Sequence, residues 1–363
     1  MSGRSDGGPI LITGGAGFIG ANLADALAAE GRDVLIYDAL LRPGVEANLD
    51  WLKRRHPRRV SAVVADVRDT ASLSAAAARA GAVFHFAAQV AVTTSLVAPA
   101  EDFAVNLGAT LALLEALRGR PDPAPLLFSS TNKVYGDLGD LAFRREGEAY
   151  RPAEERLHRH GIGEDRSLDF HTPYGCSKGG ADQYVLDYAR SFGVPTCVMR
   201  MSCIYGPRQM GTEDQGWVAH FLIRALEGQP IAIYGDGCQV RDILHVADAV
   251  AAYRAALARI DLVSGRAYNL GGGPANAVSL RQVLAAIRDI VGRPLDLSFH
   301  DWRAGDQRYY VSDTRRAGAD LDLAAPIPWR RGLADLARWL AEARGLALPE
   351  SAPRREPEPV SSA

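Results

Sequence analysis

The stretch that decides the fold runs from Pro9 to Gly20 and reads PILITGGAGFIG. Residues 9–13 predict a short buried strand that leads directly into a glycine-rich turn, and residues 17–30 have helical spacing. The glycines are spaced G-x-x-G-x-x-G. This permits a tight turn and lets an anion approach the backbone, while the helix offers free N–H groups and its positive end. The stretch therefore predicts a site for the pyrophosphate of a dinucleotide. The residues assigned to this loop are Gly14, Gly17, Phe18 and Ile19.

An acidic residue ends the next predicted strand. Residues 33–37 predict that strand, and Asp38 follows it. A carboxylate at this position accepts hydrogen bonds from the ribose hydroxyls of adenosine and repels a 2′-phosphate, so NAD is favoured over NADP. Arg42 nearby keeps NADP as an alternative. The alternative to a dinucleotide site is an ordinary glycine-rich turn followed by a solvent-exposed aspartate. The order strand, turn, helix, strand argues against this alternative.

Further strands are predicted at 60–65, 82–86, 126–129 and 195–200, with helical stretches between them. This alternation predicts an α/β fold of the Rossmann type, in which a doubly wound parallel sheet has right-handed crossovers. Strand ends then share one edge, where ligands bind. The strand-end residues assigned to the cofactor are Asp66, Val67, Ala87, Ala88 and Gln89, the first two near the adenine. For residues 87–89, ordinary packing is an equal alternative.

The regular alternation of predicted strands and helices becomes less clear after Tyr205. Helices are predicted at 217–227, 246–259 and 279–291, with Ser279 as a cap, and an extended stretch at 231–234. The predicted plan is a flexible terminus at 1–8, an NAD-binding domain at 9–204, a smaller C-terminal α/β substrate lobe at 205–345 and a disordered tail at 346–363. Residues 137–168 are long and charged, and are interpreted as a substrate lid or, equally, a disordered insert.

Composition limits the function classes. The 363 residues are 47% hydrophobic and carry a net charge of −2, which favours small-molecule partners over nucleic acid. No stretch is long and apolar enough to predict a membrane span. The four cysteines form no Cys-x-x-Cys pair, so they are interpreted as free thiols and the protein as cytoplasmic. No metal site is predicted, since His158 and His160 lie in a polar stretch that is typical of a solvated surface.

A proton-transfer pair is predicted at Tyr174 and Lys178, which share one face of a helix. A free tyrosine has a pKa of about 10, and lowering it by roughly 3 units requires about 4 kcal/mol of preference for the phenolate. Lys178 and an oxidised nicotinamide supply two positive charges, so a lowered pKa and a role as acid and base are predicted. A surface pair is the bland alternative. Thr131 follows a strand at the ligand edge and is predicted to bond the reacting oxygen.

These residues resemble the extended short-chain dehydrogenase/reductase family, which acts on nucleotide-linked sugars. The resemblance covers roughly residues 9–340. It rests on the glycine loop, Asp66, Ala87-Ala88, Asn106, Ser129-Ser130-Thr131, Tyr174 with Lys178, Tyr205-Gly206-Pro207 and Arg241-Asp242. It implies a catalytic triad of Thr131, Tyr174 and Lys178, and it adds Asn106 and Ser129 to the cofactor contacts. Tyr174 and Lys178 also border the cofactor in this scheme.

A narrower resemblance is to the CDP-paratose 2-epimerases, also called CDP-tyvelose epimerases. It is carried by residues 129–136 (SSTNKVYG), 168–178 (LDFHTPYGCSK), 214–218 (DQGWV) and 235–242 (GDGCQVRD). It implies NAD-dependent epimerisation of a CDP-hexose at carbon 2 through a keto-sugar. Nucleotide-sugar 4,6-dehydratases carry Asp-Glu where this chain has Asn132 and Lys133. Because neither residue supplies a carboxylate, dehydration is disfavoured.

The substrate contacts are assigned by chemistry and resemblance together. Arginine binds phosphate oxygens bidentately, so the diphosphate anchors proposed are Arg208, Arg241 and Arg303, each with a surface role as the alternative. The remaining substrate residues are Thr131, Asn132, Lys133, Gln215 and Trp217, the last equally a core residue. Cys203 stands where the wider family often has asparagine.

Two other functions stay open from the sequence. One is a nucleotide-sugar 4-epimerase or reductase on the same scaffold, and the other is a non-catalytic NAD-sensing protein. The resemblance also implies a homodimer or homotetramer.

Overall fold

The computed structural model describes residues 7–303 and 306–349. Within them the strands are β1 Ile10–Thr13, β2 Val34–Asp38, β3 Val60–Val64, β4 Ala82–His85, β5 Leu126–Thr131, β6 Phe143–Glu146, β7 Ala149–Pro152, β8 Thr196–Met201, β9 Cys203–Tyr205, β10 Ile231–Tyr234, β11 Val240–His245, β12 Arg266–Leu270, β13 Ala277–Ser279, β14 Leu297–His300 and β15 Tyr309–Tyr310. Residues 1–6 of the predicted terminus and 350–363 of the predicted tail lie outside the described residues.

The α-helices within the same ranges are α1 Phe18–Ala29, α2 Val45–Arg55, α3 Thr70–Arg79, α4 Val92–Val97, α5 Pro99–Phe103, α6 Ala109–Arg118, α7 Glu155–His160, α8 Thr172–Phe192, α9 Trp217–Glu227, α10 Val246–Ala258, α11 Ile260–Val263, α12 Leu280–Val291, α13 Arg315–Leu321 and α14 Trp329–Arg344. A π-helical turn spans Ala104–Gly108, and 3₁₀ turns span Asn132–Tyr135 and Pro274–Asn276. In the described part of the chain, no helix is long and apolar enough to cross a membrane.

The central sheet has seven parallel strands in the order β12-β8-β5-β4-β1-β2-β3. This confirms the predicted doubly wound α/β fold. The order reverses between β1 and β4, and a crevice at such a reversal is where open α/β sheets bind ligands. The edge strand β12 comes from the later part of the chain, within residues 205–345.

Both faces of this sheet are buried, which explains why its strands are apolar without alternation. Ile10 and Ile12 of β1 pack in the core on one face, together with Leu23 of α1. Leu11 between them packs in the core on the other face, with Leu113 of α6. Since successive side chains of a strand point to opposite faces, an unbroken apolar run fills two cores at once.

A third core joins α9, α12 and α14 beside a small sheet in which β11 pairs with β9, β13 and β15. The predicted cap of α12 is confirmed: Gln282 N donates to Ser279 Oγ at 3.2 Å, and Ser279 N donates to Gln282 Oε1 at 2.8 Å. This reciprocal capping box fixes the start of the helix.

Residues 137–168 are folded as the antiparallel hairpin β6–β7, the helix α7 and connecting turns. The end of this segment is tied to strand β12 of the central sheet and to the chain directly after β15. Ile162 N donates to Val311 O at 2.7 Å, and Asn269 Nδ2 of β12 donates to Ile162 O at 2.8 Å. A cavity of about 650 Å³ lies within residues 137–169, and none of the predicted site residues lines it. The segment is thus anchored to the fold, and its role as a lid stays a prediction.

Candidate active site

The glycine loop lies where β1 passes into α1, at the reversal of the strand order. Gly14 has a φ of +66°, and a Cβ there would lie 2.7 Å from Ala87 N, so the turn after β1 sits directly against the chain that leaves β4. Gly17 N donates to Gly14 O at 3.1 Å. No side chain caps the N-terminus of α1, which begins with Phe18 and Ile19. An uncapped positive helix end above a loop without side chains fits a pyrophosphate.

Asp38 ends β2 beside this loop. Its Oδ2 accepts a hydrogen bond from Ala16 N at 3.0 Å, and its Oδ1 accepts one from Leu40 N at 2.9 Å. Two backbone donors therefore fix the carboxylate against the glycine turn while leaving lone pairs on both oxygens. The arrangement fits the ribose of NAD, as the sequence predicts.

The predicted adenine edge is partly occupied by a protein contact. Asp66 binds Arg68 bidentately, with Nη2 to Oδ2 at 2.7 Å and Nε to Oδ1 at 3.0 Å. Val67 is buried in the core between α3 and α6. A cofactor contact by Asp66 would share the carboxylate with Arg68, and the assignment of both residues stays a prediction.

The chain after β4 is held by Asn106 from the π-helical turn. Asn106 Oδ1 accepts from Gln89 N at 2.9 Å, and its Nδ2 donates to Gln89 O at 3.0 Å. Ala87 N donates to Thr13 Oγ1 at 3.3 Å, and Ala88 lies between these two contacts in the chain. π-Helical turns are rare and often lie at functional sites. Here the turn holds the small residues of the cofactor edge in place.

The predicted catalytic residues come together. Thr131 ends β5, and Tyr174 and Lys178 lie on the first turns of α8. The Thr131 hydroxyl lies close enough to the Tyr174 phenol to lower the pKa of Tyr174. Lys178 Nζ donates to Ser129 O and lies 4.2 Å from the centre of the Phe128 ring. Both side chains are buried, at 8% exposure for Tyr174 and 3% for Lys178. A surface pair is therefore ruled out.

The lowered Tyr174 pKa predicted from the sequence requires two positive charges, those of Lys178 and of an oxidised nicotinamide, and it stays a prediction. Burial raises the pKa of Tyr174 to about 12; the Thr131 hydroxyl lowers it, and the charge of Asp102 raises it. Burial also lowers the pKa of Lys178 to about 7, although Asp182 and Asp102 raise it. Desolvation disfavours the charged form of both groups, so the lysine is too weak a cation to ionise the phenol unaided.

Several predicted substrate residues meet around Cys203. Lys133 follows Thr131 in the 3₁₀ turn, and its N–H donates to Thr131 Oγ1 at 3.2 Å. Burial and then Arg241 lower the pKa of Lys133 to about 8, while Asp306, Cys203 and Asp137 raise it. Two basic side chains, Lys133 and Arg241, thus share one desolvated place with the carboxylate of Asp306, which is ion-paired with Arg241.

Trp217 and Arg241 complete this group. Trp217 Nε1 donates to Cys203 Sγ at 3.4 Å, and Arg241 Nη2 donates to Asp306 Oδ1 at 2.5 Å. Trp217 also packs against Phe221 of α9, so it is at once a core residue and a neighbour of the site. Asn132 is buried beside Thr131, whose hydroxyl donates to Asn132 Oδ1 at 3.4 Å.

Three other predicted anchors have different partners. The Arg208 guanidinium stacks 3.6 Å from the centre of the Trp51 ring, with Trp339 also nearby. Arg303 binds Glu213, with Nη2 to Oε1 at 2.9 Å, and stacks on Tyr234. Gln215 forms a tight backbone bridge with Thr212. For these three residues a substrate contact stays a prediction.

The sequence interpretation missed a set of buried polar groups behind the site. His85 Nδ1 contacts Thr13 Oγ1 at 2.6 Å and its Nε2 contacts Thr110 Oγ1 at 3.0 Å, and burial lowers the pKa of His85 to about 3. Asp182 binds Arg200 through two 2.9 Å hydrogen bonds. Asp102 is fully buried. A polar residue inside an otherwise apolar strand, as His85 is in β4, was the available signal.

Comparison with known proteins supports this geometry. The pattern of the NAD dependent epimerase/dehydratase family matches residues 10–271. The chain is 39% identical over 337 residues to CDP-paratose 2-epimerase of Salmonella typhi, covering 91% of this chain and 98% of that protein. It is 31% identical over 344 residues to dTDP-glucose 4,6-dehydratase of an Actinoplanes strain, covering 91% and 97%.

Solved structures of the same type superpose closely. UDP-glucose 4-epimerase of Thermotoga maritima, solved with UDP-glucose, has a TM-score of 0.78 at 28% identity and covers 93% of this chain and 99% of that one. UDP-glucose 4-epimerase of Thermus thermophilus, solved with NAD, has a TM-score of 0.77 at 29% identity and covers 92% and 99%. The chain belongs to the NAD dependent epimerase/dehydratase family, a group of NAD-dependent nucleotide-sugar enzymes of the extended short-chain dehydrogenase/reductase type.

Proposed function

We propose that this enzyme epimerises a nucleotide-diphosphate sugar at carbon 2, with a CDP-hexose of the paratose/tyvelose type as substrate. The observation that favours epimerisation over dehydration is the turn after Thr131, while carbon 2 and the CDP group rest on the similarity to a CDP-paratose 2-epimerase. An amide and an amine, Asn132 and Lys133, follow the catalytic hydroxyl there, and Lys133 lies near Arg241. A dehydratase needs a carboxylate beside the reacting carbons, whereas a redox-neutral epimerisation does not. The 39% identity to a CDP-paratose 2-epimerase supports the same choice.

The residues then have separate tasks. Bound at the glycine loop and Asp38, NAD supplies a reversible hydride acceptor. The Tyr174 phenolate takes the proton of the reacting sugar hydroxyl and, as the phenol, later returns it, and the Thr131 hydroxyl holds that oxygen in line. Because burial opposes the phenolate, Tyr174 needs the positive charge of the oxidised cofactor in addition to Lys178.

Epimerisation also requires the keto-sugar to present its second face. The nucleotide half must stay bound while the sugar turns, and Arg241 with Lys133 is positioned to hold the diphosphate. Binding energy from that remote half keeps the intermediate in the cleft, where Tyr174 can return the proton.

A 4-epimerase is the second candidate, since structures of UDP-glucose 4-epimerases superpose on this chain. The test is incubation with CDP-paratose, CDP-tyvelose and UDP-glucose in deuterated water, followed by NMR of the products. We expect interconversion of the two CDP-sugars without deuterium at carbon 2. Turnover of UDP-glucose alone, or deuterium at the inverted carbon, would contradict the proposal.

We also propose a homodimer. Large apolar side chains are exposed on three helices that pack side by side, α4, α5 and α8. They are Leu96, Val97, Phe103 and Tyr184. Clustered exposed apolar residues mark contact surfaces. Sedimentation of the protein before and after Val97→Asp measures the assembly, and a monomeric wild-type protein would contradict it.

A further inference from the structure

Asp102 is a buried carboxylate next to the catalytic pair, and the mechanism above gives it no task. Its side chain is 0% exposed, near the end of α5. Oδ1 accepts hydrogen bonds from Gln89 Nε2 at 2.8 Å and Asn106 Nδ2 at 3.2 Å, and Oδ2 accepts one from Ser177 Oγ. All three donors are neutral. A buried charge satisfied only by neutral donors remains free to act on other charges in the same low-dielectric region.

Ser177 connects this carboxylate to the catalytic turn of α8. Its hydroxyl has one hydrogen and two acceptors within reach, Asp102 Oδ2 and Tyr174 O at 3.2 Å. The carboxylate contact is the shorter and is charge-assisted, so the hydrogen points to Asp102, and Ser177 Oγ accepts from Asn106 Nδ2 at 3.1 Å. Ser177 lies between Tyr174 and Lys178 in the chain. Its bond to Asp102 therefore fixes the turn that carries both side chains.

The charges around this turn are few. Tyr174, Lys178 and Asp182 face it from α8, and His85 faces it from β4. Asp182 is committed to Arg200 by a bidentate bridge, and burial together with Lys178 lowers the pKa of His85 to about 3, so that the ring is neutral. Asp102 forms no ion pair of this kind within the described ranges.

We propose that Asp102 is a positioning residue of the active site: its bond to Ser177 sets the angle at which α8 presents Tyr174, and its buried charge adds to that of Asp182 in favouring the ammonium form of Lys178. The inference rests on the proposed roles of Tyr174 and Lys178, but not on which sugar is the substrate. Burial lowers the pKa of Lys178, and Asp182 and then Asp102 oppose this shift, while Asp102 also raises the pKa of Tyr174.

The lysine content makes a direct test possible. The chain has three lysines, Lys53, Lys133 and Lys178, so a sample labelled with ¹³C at lysine Cε gives three resolvable titrations. Lys53 is exposed on α2 and serves as the internal reference. Substitution of Lys53 and of Lys133 by arginine assigns the signals. The full-length protein is titrated without any nucleotide sugar, so the measurement does not depend on the reaction.

The decisive variant is Asp102→Asn, which keeps the shape and removes the charge. We expect the Lys178 midpoint to fall by about 1 pH unit or more, since a nearby negative charge favours the ammonium form. Glu101→Gln is the matched control, because it removes a carboxylate from the adjacent, exposed position and should leave the midpoint unchanged. An unchanged Lys178 midpoint in a folded Asp102→Asn protein would overturn the proposal.

Ser177→Ala tests whether the bond between Ser177 and Asp102 positions Tyr174. It also keeps the proposal testable if the Asp102→Asn protein does not fold. It keeps the carboxylate and deletes one hydroxyl. We expect kcat to fall by about tenfold with KM and the Lys178 midpoint nearly unchanged, because a bond to a charged group is lost but no charge is. An unaltered kcat would overturn this part of the proposal. If no nucleotide sugar is epimerised yet Asp102→Asn still shifts Lys178, the proposed function fails while the inference about Asp102 stands.

Discussion

The two sides of the cleft are built differently. On the cofactor side, the loop between β1 and α1 forms from residues that are neighbours in the chain, and Asp38 is tied to it by backbone hydrogen bonds. On the substrate side, Lys133, Cys203 and Arg241 come from three distant segments and meet through packing and charge. A tight backbone turn cannot accommodate an added side chain, whereas a group of long side chains can shift to new positions. We therefore expect a single substitution to cause a large loss of stability and cofactor binding on the cofactor side, and a smaller change in KM on the substrate side.

The largest effect is expected where the two sides meet, at Tyr174. Tyr174→Phe removes the proton-transfer group and little volume, so kcat should fall by about 10³-fold while NAD stays bound. Tyr184→Phe is the control, because this tyrosine lies on the same helix outside the site, on the surface proposed for the dimer, and the change removes only one hydroxyl. Turnover and the NAD released on denaturation are measured together. An active Tyr174→Phe protein would remove the phenol from the mechanism.

Gly14→Ala tests the cofactor side. Gly14 and Gly31 both have positive φ values, so alanine strains both by about 1–2 kcal/mol. At Gly14 the new Cβ would also lie 2.7 Å from Ala87 N, whereas at Gly31 nothing lies within 4 Å. Gly14→Ala should lose at least ~2 kcal/mol more unfolding free energy than Gly31→Ala, and most of its NAD. Equal losses of unfolding free energy for the two variants in thermal melts would show that the loop can move away from Ala87 and accommodate the added methyl group.

The same contrast explains what could be read from the sequence. The strands of the sheet, the glycine loop and the Ser279 cap were predictable because each depends on a few adjacent residues. The pairing of Arg208 with Trp51 and of Arg303 with Glu213 depends on tertiary neighbours, and no spacing rule reports them.

The pKa of Tyr174 illustrates the same limit. The sequence shows Lys178 four residues away and suggests that this cation, together with an oxidised nicotinamide, ionises the phenol. It does not show that both groups are buried, and desolvation acts on each more strongly than they act on one another. Burial is a property of the whole fold, so pKa values in the site could not be derived from local spacing.

Arg241→Ala tests the substrate side. If Arg241 binds the diphosphate as proposed, its loss should raise KM for the nucleotide sugar by about tenfold or more, with a smaller effect on kcat. It should also raise the pKa of Lys133 above its value of about 8, because the positive charge that lowers this pKa is gone and Asp306 loses its partner. The lysine NMR titration measures this shift.

Arg303→Ala is the matched comparison for that variant. Both guanidinium groups are ion-paired, but the partners of Arg303 are Glu213 and Tyr234, outside the group that contains Lys133 and Cys203, so its loss should change KM much less. If the two substitutions raise KM equally, both arginines bind the diphosphate, and the anion site extends beyond the group around Cys203.

The smallest effect is expected at Cys203, where the Sγ accepts the indole hydrogen bond of Trp217 at 3.4 Å. Cys203→Ser keeps a hydrogen-bond acceptor and Cys203→Ala removes it. The difference in free energy between the two variants therefore measures the contribution of one neutral hydrogen bond, about 1 kcal/mol. KM should rise by about threefold in the alanine variant and remain near wild type in the serine variant, with Trp217 fluorescence altered only in the former. A large loss in both variants would mean that this side of the cleft is as rigid as the glycine loop, because the thiol would then act through its size and not through the bond that it accepts.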